Sequence, residues 1–170
     1  MVNRQEGTIV ILKLKSSFEQ AVCILLMLAL SKDHMPLRSV VISNRLGVSD
    51  SYLKKVLHQM VVGGLVSSEA GKGGGFSLSY DINRMTLLDV YNAIEGPSPI
   101  IKSTGIASRI FFDDQFVEVQ EKKIFDQIGR AETQFKSGLK KENLGTLLIN
   151  PDGTHRQPID WNRIGDDRHV

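Results

Sequence analysis

A tight turn followed by a glycine-rich run limits what this chain can fold into. The turn lies at residues 46–49 (LGVS), between two stretches in which apolar side chains recur at helical spacing. The run lies at residues 71–75 (GKGGG), between two short stretches with the character of β-strands. Helix, turn, helix and then a glycine-tipped hairpin is the order of a winged helix-turn-helix. We therefore predict a mainly α fold with a small β-hairpin wing.

Caps and breakers indicate where the elements begin and end. We expect helix one from about Phe18 to Ser31, after a capping box that starts at Ser16. Helix two is expected at residues 39–46 and helix three at residues 49–63. A second capping box, at residues 86–89 (TLLD), predicts a fourth helix that ends near residues 95–96.

The strongest break in the chain is the sequence GPSP at residues 96–99, because glycine and proline end regular structure. Residues 98–114 are expected to be irregular. The polar composition after residue 149 predicts a mobile tail. We expect four parts. An N-terminal extension at residues 1–14 precedes a winged-helix domain at residues 15–96. A linker with dimerisation helices follows at residues 97–149, and the tail occupies residues 150–170.

A long helix predicted at residues 115–139 carries a narrow apolar stripe. Its members follow one another at intervals of three, four and seven residues, close to a heptad. Such a stripe needs a partner, so we predict a homodimer joined through this dimerisation helix. The stripe residues are Val117, Ile124, Ile128, Ala131 and Phe135.

Composition excludes a fold stabilised by internal disulfides but does not identify the partner. The net charge of +2 is weak evidence for nucleic acid, so any DNA-binding face must come from local clustering. The single cysteine, Cys23, cannot form an internal disulfide, and a reducing cytoplasm is the simplest compartment. The apolar run at residues 21–30 has the length of a signal-peptide core, but a core helix is the favoured interpretation, and we expect no membrane partner.

Helix three has the features of a DNA-recognition helix. Ser49 is expected to cap it, and Leu53, Val56, Leu57 and Met60 to form its buried face. Polar and cationic side chains lie largely on the other side, where they can reach base edges and phosphates. A solvated helix face is the alternative. The candidate DNA contacts are Ser49, Ser51, Tyr52, Lys54, Lys55 and His58.

The wing tip supplies a second candidate contact. A phosphate-binding Walker loop would need glycine where Val66 lies, and serine or threonine where Gly73 lies. We therefore interpret the run as a hairpin tip, where Lys72, Gly73 and Gly74 approach the DNA backbone or minor groove. A structural turn without a ligand is the alternative.

No catalytic constellation and no metal-ligand spacing stands out among the four histidines, the carboxylates and Cys23. We therefore predict that the chain is not an enzyme and holds no metal or cofactor. Cys23 itself is interpreted as a buried, inert thiol rather than a redox sensor.

These motifs resemble the Rrf2 family of bacterial winged-helix regulators. The shared sequence motifs lie at residues 48–53 (VSDSYL), 63–68 (GGLVSS), 71–78 (GKGGGFSL), 86–90 (TLLDV) and 93–96 (AIEG). The resemblance implies a homodimer whose long helices cross between subunits and a palindromic operator in double-stranded DNA. It also implies that Ser49, Ser51 and Tyr52 occupy DNA-contacting positions.

Three departures from the family pattern qualify this resemblance. Cluster-binding members carry glutamate where this chain has Lys54, and arginine and proline near the wing tip where it has Ala70 and Lys72. They also carry three cysteines between helix four and the long helix, whereas residues 97–114 contain none. An iron–sulfur cluster needs thiolates, so we exclude cluster sensing. The resemblance is then to the cysteine-poor members, and the signal remains open between a small-molecule effector, a partner protein and a thiol change.

The first functional hypothesis is a dimeric, sequence-specific DNA-binding transcriptional regulator, expected to act as a repressor. The alternative is a winged-helix protein–protein interaction module without specific DNA binding. Salt-dependent retention on DNA distinguishes the two, because phosphate contacts release counterions.

Overall fold

Six α-helices and one two-stranded sheet form the described part of the computed structural model, which covers residues 14–111, 113–161 and 163. The mainly α fold with a small hairpin is therefore confirmed. Most of the predicted N-terminal extension, residues 1–13, lies outside the described residues. The elements are α1 (Ser16–Ala29), α2 (Ser39–Leu46), α3 (Asp50–Val62), β1 (Val66–Glu69), β2 (Gly75–Leu78), α4 (Leu87–Glu95), α5 (Ile106–Ile110) and α6 (Asp114–Lys141).

The apolar run at residues 21–30 lies in the central core helix, as favoured from the sequence. Ala21, Ile24 and Leu25 of α1 are fully buried. The capping box predicted at Ser16 is wrong, because Lys15 is the N-cap residue and no side chain caps the helix. The helix therefore begins earlier than predicted.

The helix-turn-helix consists of α2, a turn at Gly47 and α3. Gly47 has a left-handed backbone conformation with φ of 65°, which glycine adopts without the steric cost of a Cβ atom. Its N–H donates to the carbonyl of Asn44, and Val48 packs against the core. The predicted turn and its flanking helices are confirmed.

The wing is an antiparallel hairpin in which Val66 pairs with Leu78 and Glu69 with Gly75. The sequence predicts strands at residues 65–68 and 76–80, so the bounds differ from the prediction by one or two residues. Leu37 adds a short bridge, since its N–H and carbonyl both bond Phe76 at 2.9 Å. This bridge holds the base of the wing against the segment that leads into α2.

The capping box of α4 is present as predicted. The hydroxyl of Thr86 accepts the N–H of Asp89 at 3.3 Å, while the Asp89 carboxylate accepts the N–H of Thr86 at 2.8 Å. The linker after α4 is less irregular than predicted, because it contains the short helix α5. Asp113 caps α6 by accepting the N–H of Phe116. The helix therefore begins at Asp114, one residue before the predicted position.

The C-terminal segment, residues 144–161, packs on the winged domain. It begins with a 3-10 helix, Leu144–Leu148, whose two terminal leucines belong to the core. Ile159 then bonds the backbone of Leu30 and Lys32, and the indole N–H of Trp161 donates to the carbonyl of Met27 at 2.9 Å. The polar segment that was expected to be a mobile tail therefore contacts the winged domain through Ile159 and Trp161. Residues 162 and 164–170 lie outside the described residues.

Candidate nucleic-acid interface

The N-terminal end of α3 combines a structural bond with exposed polar groups. The Ser49 hydroxyl accepts the N–H of Tyr52 at 3.3 Å, so the predicted cap is present. Its oxygen also lies 3.4 Å from the Ser51 hydroxyl, and both serines are exposed. The two hydroxyls therefore form a neighbouring pair at the start of the helix.

Tyr52 differs from its neighbours on α3 because its ring is half-buried and packs against the core. Lys54, Lys55 and His58 are exposed, and the buried face of the helix consists of the four predicted apolar residues. A recognition helix needs one face fixed in the core and the other free for a partner, and α3 has this division.

Lys54 forms an ion pair with Asp50, one turn earlier, at 2.6 Å. The hydrogen bond from Lys54, with a second one from Ser39, lowers the pKa of the Asp50 carboxyl. Both side chains are largely exposed, and exposed pairs of this kind contribute little to stability. A phosphate can therefore replace Asp50 as the partner of Lys54 at small cost.

A basic groove of about 550 Å³ lies between the start of α1 and α3. It brings together Tyr52, Lys55 and His58 from α3 with Lys15, Ser16 and Ser17 from the start of α1. The three residues near α1 were not predicted as part of the interface. No local pattern could have identified them, because about forty positions of sequence separate them from α3.

Glu95 at the end of α4 holds Lys15 in place. Its carboxylate accepts the Lys15 backbone N–H at 3.1 Å and pairs with the Lys15 ammonium at 2.6 Å. The start of α1 is thereby tied to the helix that leads into the linker.

The wing tip presents Lys72 and Gly73 as exposed residues. The N–H of Gly74 donates to the carbonyl of Gly71 at 3.1 Å and closes the turn. That amide is already used within the hairpin. The Gly71 and Gly73 backbones have φ of 103° and 96°, so the tip requires glycine for its own shape.

The five predicted dimerisation residues do not share one environment. Val117 is buried, and Phe135 packs edge-on against Tyr91 of α4 with ring centroids 5.5 Å apart. Ile128 is half-buried, whereas Ile124 and Ala131 are exposed. The chain itself therefore covers part of the predicted stripe.

Comparison with known proteins identifies the family. A family model named Rrf2 and described as an iron-dependent transcriptional regulator matches residues 14–150. The chain belongs to the Rrf2 family. Two named HTH-type transcriptional regulators match, YffB of Lactococcus lactis subsp. lactis at 43% identity over 95 residues and YwgB of Bacillus subtilis at 42% over 100. The matches cover 56% and 59% of this chain, and 61% and 64% of those relatives' lengths.

Solved structures of Rrf2 regulators share the fold of this chain. The global cysteine regulator CymR of B. subtilis superposes with a TM-score of 0.55 at 22% identity, over 80% of this chain and 95% of CymR. The T. potens IscR structure superposes with a TM-score of 0.56 at 20% identity, over 81% and 86% of the two chains. The relatives' names denote transcriptional regulators rather than enzymes, as expected from the sequence.

The residues of this Rrf2 chain do not fit an iron–sulfur cluster, although the family model is described as iron-dependent. Such clusters are held mainly by cysteine thiolates, and the sequence contains one cysteine. Cys23 lies half-buried in α1, away from the linker, and burial together with the nearby Glu19 raises the pKa of its thiol. Within the described ranges, no three His, Cys, Asp or Glu side chains are grouped to hold a metal.

A membrane span is also missing from the described helices, none of which is both long and apolar enough to cross a bilayer.

Proposed function

We propose that this chain is a sequence-specific DNA-binding transcriptional regulator. In this proposal, α3 enters the major groove, and the wing contacts the backbone or the minor groove. The observation that carries the proposal is α3, whose buried face is fixed in the core while its outer face presents Ser51, Lys54, Lys55 and His58. Membership of a family of transcriptional regulators supports it and disfavours an interaction module without DNA binding.

The basic groove extends this interface beyond α3. Lys55 and Lys15 are exposed cations, the second of them paired with Glu95, and Ser16 and Ser17 lie at the N-terminal end of α1, which no side chain caps. Backbone N–H groups and hydroxyls at a helix start suit a phosphate oxygen. We therefore assign the groove to the DNA backbone next to the major-groove site.

A homodimer is the second part of the proposal. Around α5 and the N-terminal half of α6, six large apolar side chains are 45–60% exposed, and we call this surface the apolar face. Exposed apolar side chains grouped on neighbouring elements are typical of a protein interface, and two of these six, Phe111 and Phe116, are in contact. A two-fold dimer would present two copies of α3 to a palindromic operator, and its occupation of a promoter would repress transcription. The apolar face consists of Ile106, Ile110, Phe111, Phe116, Val119 and Ile124.

Selection of bound fragments from a random DNA pool tests this function. We expect one enriched palindromic site and an affinity for it that falls steeply with salt, because phosphate contacts release counterions. Equal affinity for selected and random DNA would contradict specific recognition and would favour the interaction module.

Variants of α3 and the wing separate base reading from backbone contact. Lys72→Ala should weaken binding equally across operator variants and lower the salt slope by about one unit per subunit, because lysine acts as a point charge. Ser51→Ala should instead reduce discrimination between operator and random DNA. Lys140→Ala, at the far end of α6, is the control and should change neither quantity.

A further inference from the structure

A second groove, separate from the proposed DNA interface, lies between α1 and the C-terminal segment. We call it the C-terminal groove, and its volume is about 400 Å³. One wall is formed by Cys23, Leu26 and Leu30 of α1, and the other by side chains that include Leu147, Ile149 and Trp161. This volume lies within the range of small-molecule sites in proteins, about 300–1,000 Å³.

The walls of the C-terminal groove are mostly hydrocarbon. Leu147 and Ile149 are 53% and 45% exposed, and both line this groove. Burial raises the pKa of the Cys23 thiol, which favours its neutral form. A hydrocarbon chain or ring placed here would cover surface that the described part of the chain leaves in contact with water.

Arg156 is the one charged side chain among the described residues that line this groove. Its backbone N–H is bonded to the carbonyl of Leu148, which fixes the residue at the edge of the groove. No described carboxylate lies within ion-pair distance of its guanidinium. The amide of Asn150, which also lines the groove, already donates to Thr154. The charged group offered to a ligand is therefore one guanidinium, which binds carboxylates with paired N–H donors.

We propose that the C-terminal groove binds a small amphiphilic carboxylate, with its carboxylate on Arg156 and its hydrocarbon part between α1 and Trp161. The family model ends at residue 150, whereas Arg156 and Trp161 lie beyond it. The ligand specificity is therefore a property of this chain's C-terminal segment rather than of the matched family region.

Trp161 connects this groove to the helix-turn-helix. Its indole N–H is bonded to the carbonyl of Met27, and the guanidinium carbon of Arg45 lies 5.9 Å from its ring centroid. Arg45 belongs to the last turn of α2, the first helix of the helix-turn-helix. A ligand that displaces Trp161 would change the packing of α2. The effect on DNA binding rests on the proposed function, but ligand binding itself does not.

Titration of the full chain with octanoate tests the proposal directly. Trp161 is the only tryptophan in the sequence, so its emission reports on this groove. We expect a saturable change in emission, and an affinity about tenfold weaker for Arg156→Gln, which loses a charge-assisted pair. Arg109→Gln, an exposed arginine of α5, is the matched control and should bind octanoate like the wild type. Octanamide, which lacks the charge, should bind both proteins equally weakly.

Alkylation of Cys23 supplies a second, independent measurement. Because Cys23 lines the same groove and is the only thiol, octanoate should slow its reaction with iodoacetamide in the wild type and less in Arg156→Gln. No saturable emission change and no protection of Cys23 at millimolar octanoate would overturn the proposal. Equal affinity for octanoate and octanamide would overturn the role of Arg156.

The regulatory consequence is tested separately. The selected operator is titrated with wild type and Arg156→Gln, with and without saturating octanoate. A change in affinity that Arg156→Gln loses supports coupling through Trp161, and an unchanged affinity in the wild type overturns it. Octanoate binding by a protein that fails to select DNA would refute the proposed function and leave the ligand site standing.

Discussion

The hydroxyl of Ser49 closes the first turn of α3 and lies at the surface that we assign to DNA. It accepts the N–H of Tyr52 and lies 3.4 Å from the Ser51 hydroxyl, so one oxygen serves both the helix cap and the hydroxyl pair. Ser51 lies one residue into the helix and has no capping role. Variants of the two serines can therefore separate an effect on the stability of the fold from an effect on DNA binding.

Ser49→Ala should lower the free energy of unfolding by about 1 kcal/mol, because an N-cap bond is lost. Ser51→Ala should leave that free energy within about 0.5 kcal/mol of the wild type, as is usual for exposed positions. Urea denaturation followed by far-UV circular dichroism measures both. A Ser51→Ala protein as unstable as Ser49→Ala would show that the two hydroxyls act as one structural unit.

The single thiol of this chain has a direct chemical consequence. Cys23 is half-buried in an apolar helix, and the linker after α4 contains no cysteine. Protein purified without oxygen should therefore contain no acid-labile sulfide and show no visible absorbance from a cluster. Iron and sulfide in stoichiometric amounts would refute this assignment and point to ligands other than thiolates.

At the scale of elements, the two halves of α6 face different surroundings. The C-terminal half packs on α4 through Phe135 and Tyr91, and Lys136 lies over the same tyrosine ring at 5.7 Å. Glu132 pairs with Lys136 at 2.7 Å and accepts the N–H of Ile100 from the linker. The N-terminal half instead carries the exposed apolar face.

Ile124→Asp should convert the proposed dimer into monomers and abolish operator binding without unfolding the chain, because Ile124 is 57% exposed. Thr133→Asp is the matched control, because Thr133 is also exposed. It lies about two and a half turns further along α6, on the side of the helix opposite to Ile124. Sedimentation at micromolar concentration measures the mass. A monomeric wild type would refute the dimer, and a monomeric Thr133→Asp would show that the charge acts non-specifically.

The contact between the wing and the segment before α2 depends on the absence of a side chain at Gly75. A Cβ atom there would lie 2.6 Å from the carbonyl oxygen of Leu37, which is backbone and cannot rotate away. Gly129 in the middle of α6 has no heavy atom within 4 Å of such a Cβ. Alanine at these two positions should therefore change the free energy of unfolding in opposite directions.

Gly75→Ala should destabilise the fold by about 1–3 kcal/mol, the usual cost of overpacking. Gly129→Ala should stabilise it by about 0.5–1 kcal/mol, because glycine is unfavourable inside a helix. Chemical denaturation measures both. A neutral Gly75→Ala would show that the wing can move away from Leu37.

For the whole molecule, the C-terminal segment joins parts of the chain that are distant in sequence. Leu144 bonds the carbonyl of Met85, Ile159 bonds the backbone after α1, and Trp161 contacts both α1 and Arg45 of α2. The segment therefore belongs to the same folded unit as the helix-turn-helix, and we expect one cooperative unfolding transition.

Trp161→Phe should lower the free energy of unfolding by about 1 kcal/mol, since it removes one hydrogen bond and keeps an aromatic ring. Trp161→Ala should lower it by about 2–3 kcal/mol, less than for a fully buried aromatic residue because Trp161 is half-buried. Far-UV circular dichroism follows both variants. In the wild type, loss of Trp161 emission at a lower denaturant concentration than loss of helix would show that the segment unfolds separately.

The sequence by itself determined the elements whose signals are local. The Ser49 cap, the Gly47 turn and the capping box at Thr86 depend on bonds between residues a few positions apart, and all three are present. The mainly α fold and the family could also be predicted, because caps, turns and glycine-rich hairpin tips have recognisable sequence patterns.

The tertiary structure alone decided which distant segments meet. Lys15 and Lys55 line the same groove, Trp161 bonds the backbone of α1, and Phe135 faces Tyr91 while Ile124 stays exposed. These arrangements depend on hydrophobic burial and on bonds between residues far apart in the chain, such as Lys15 to Glu95 and Trp161 to Met27, and neither has a fixed sequence spacing. A polar segment with one tryptophan can therefore look like a mobile tail in sequence, although in the fold it covers part of the core.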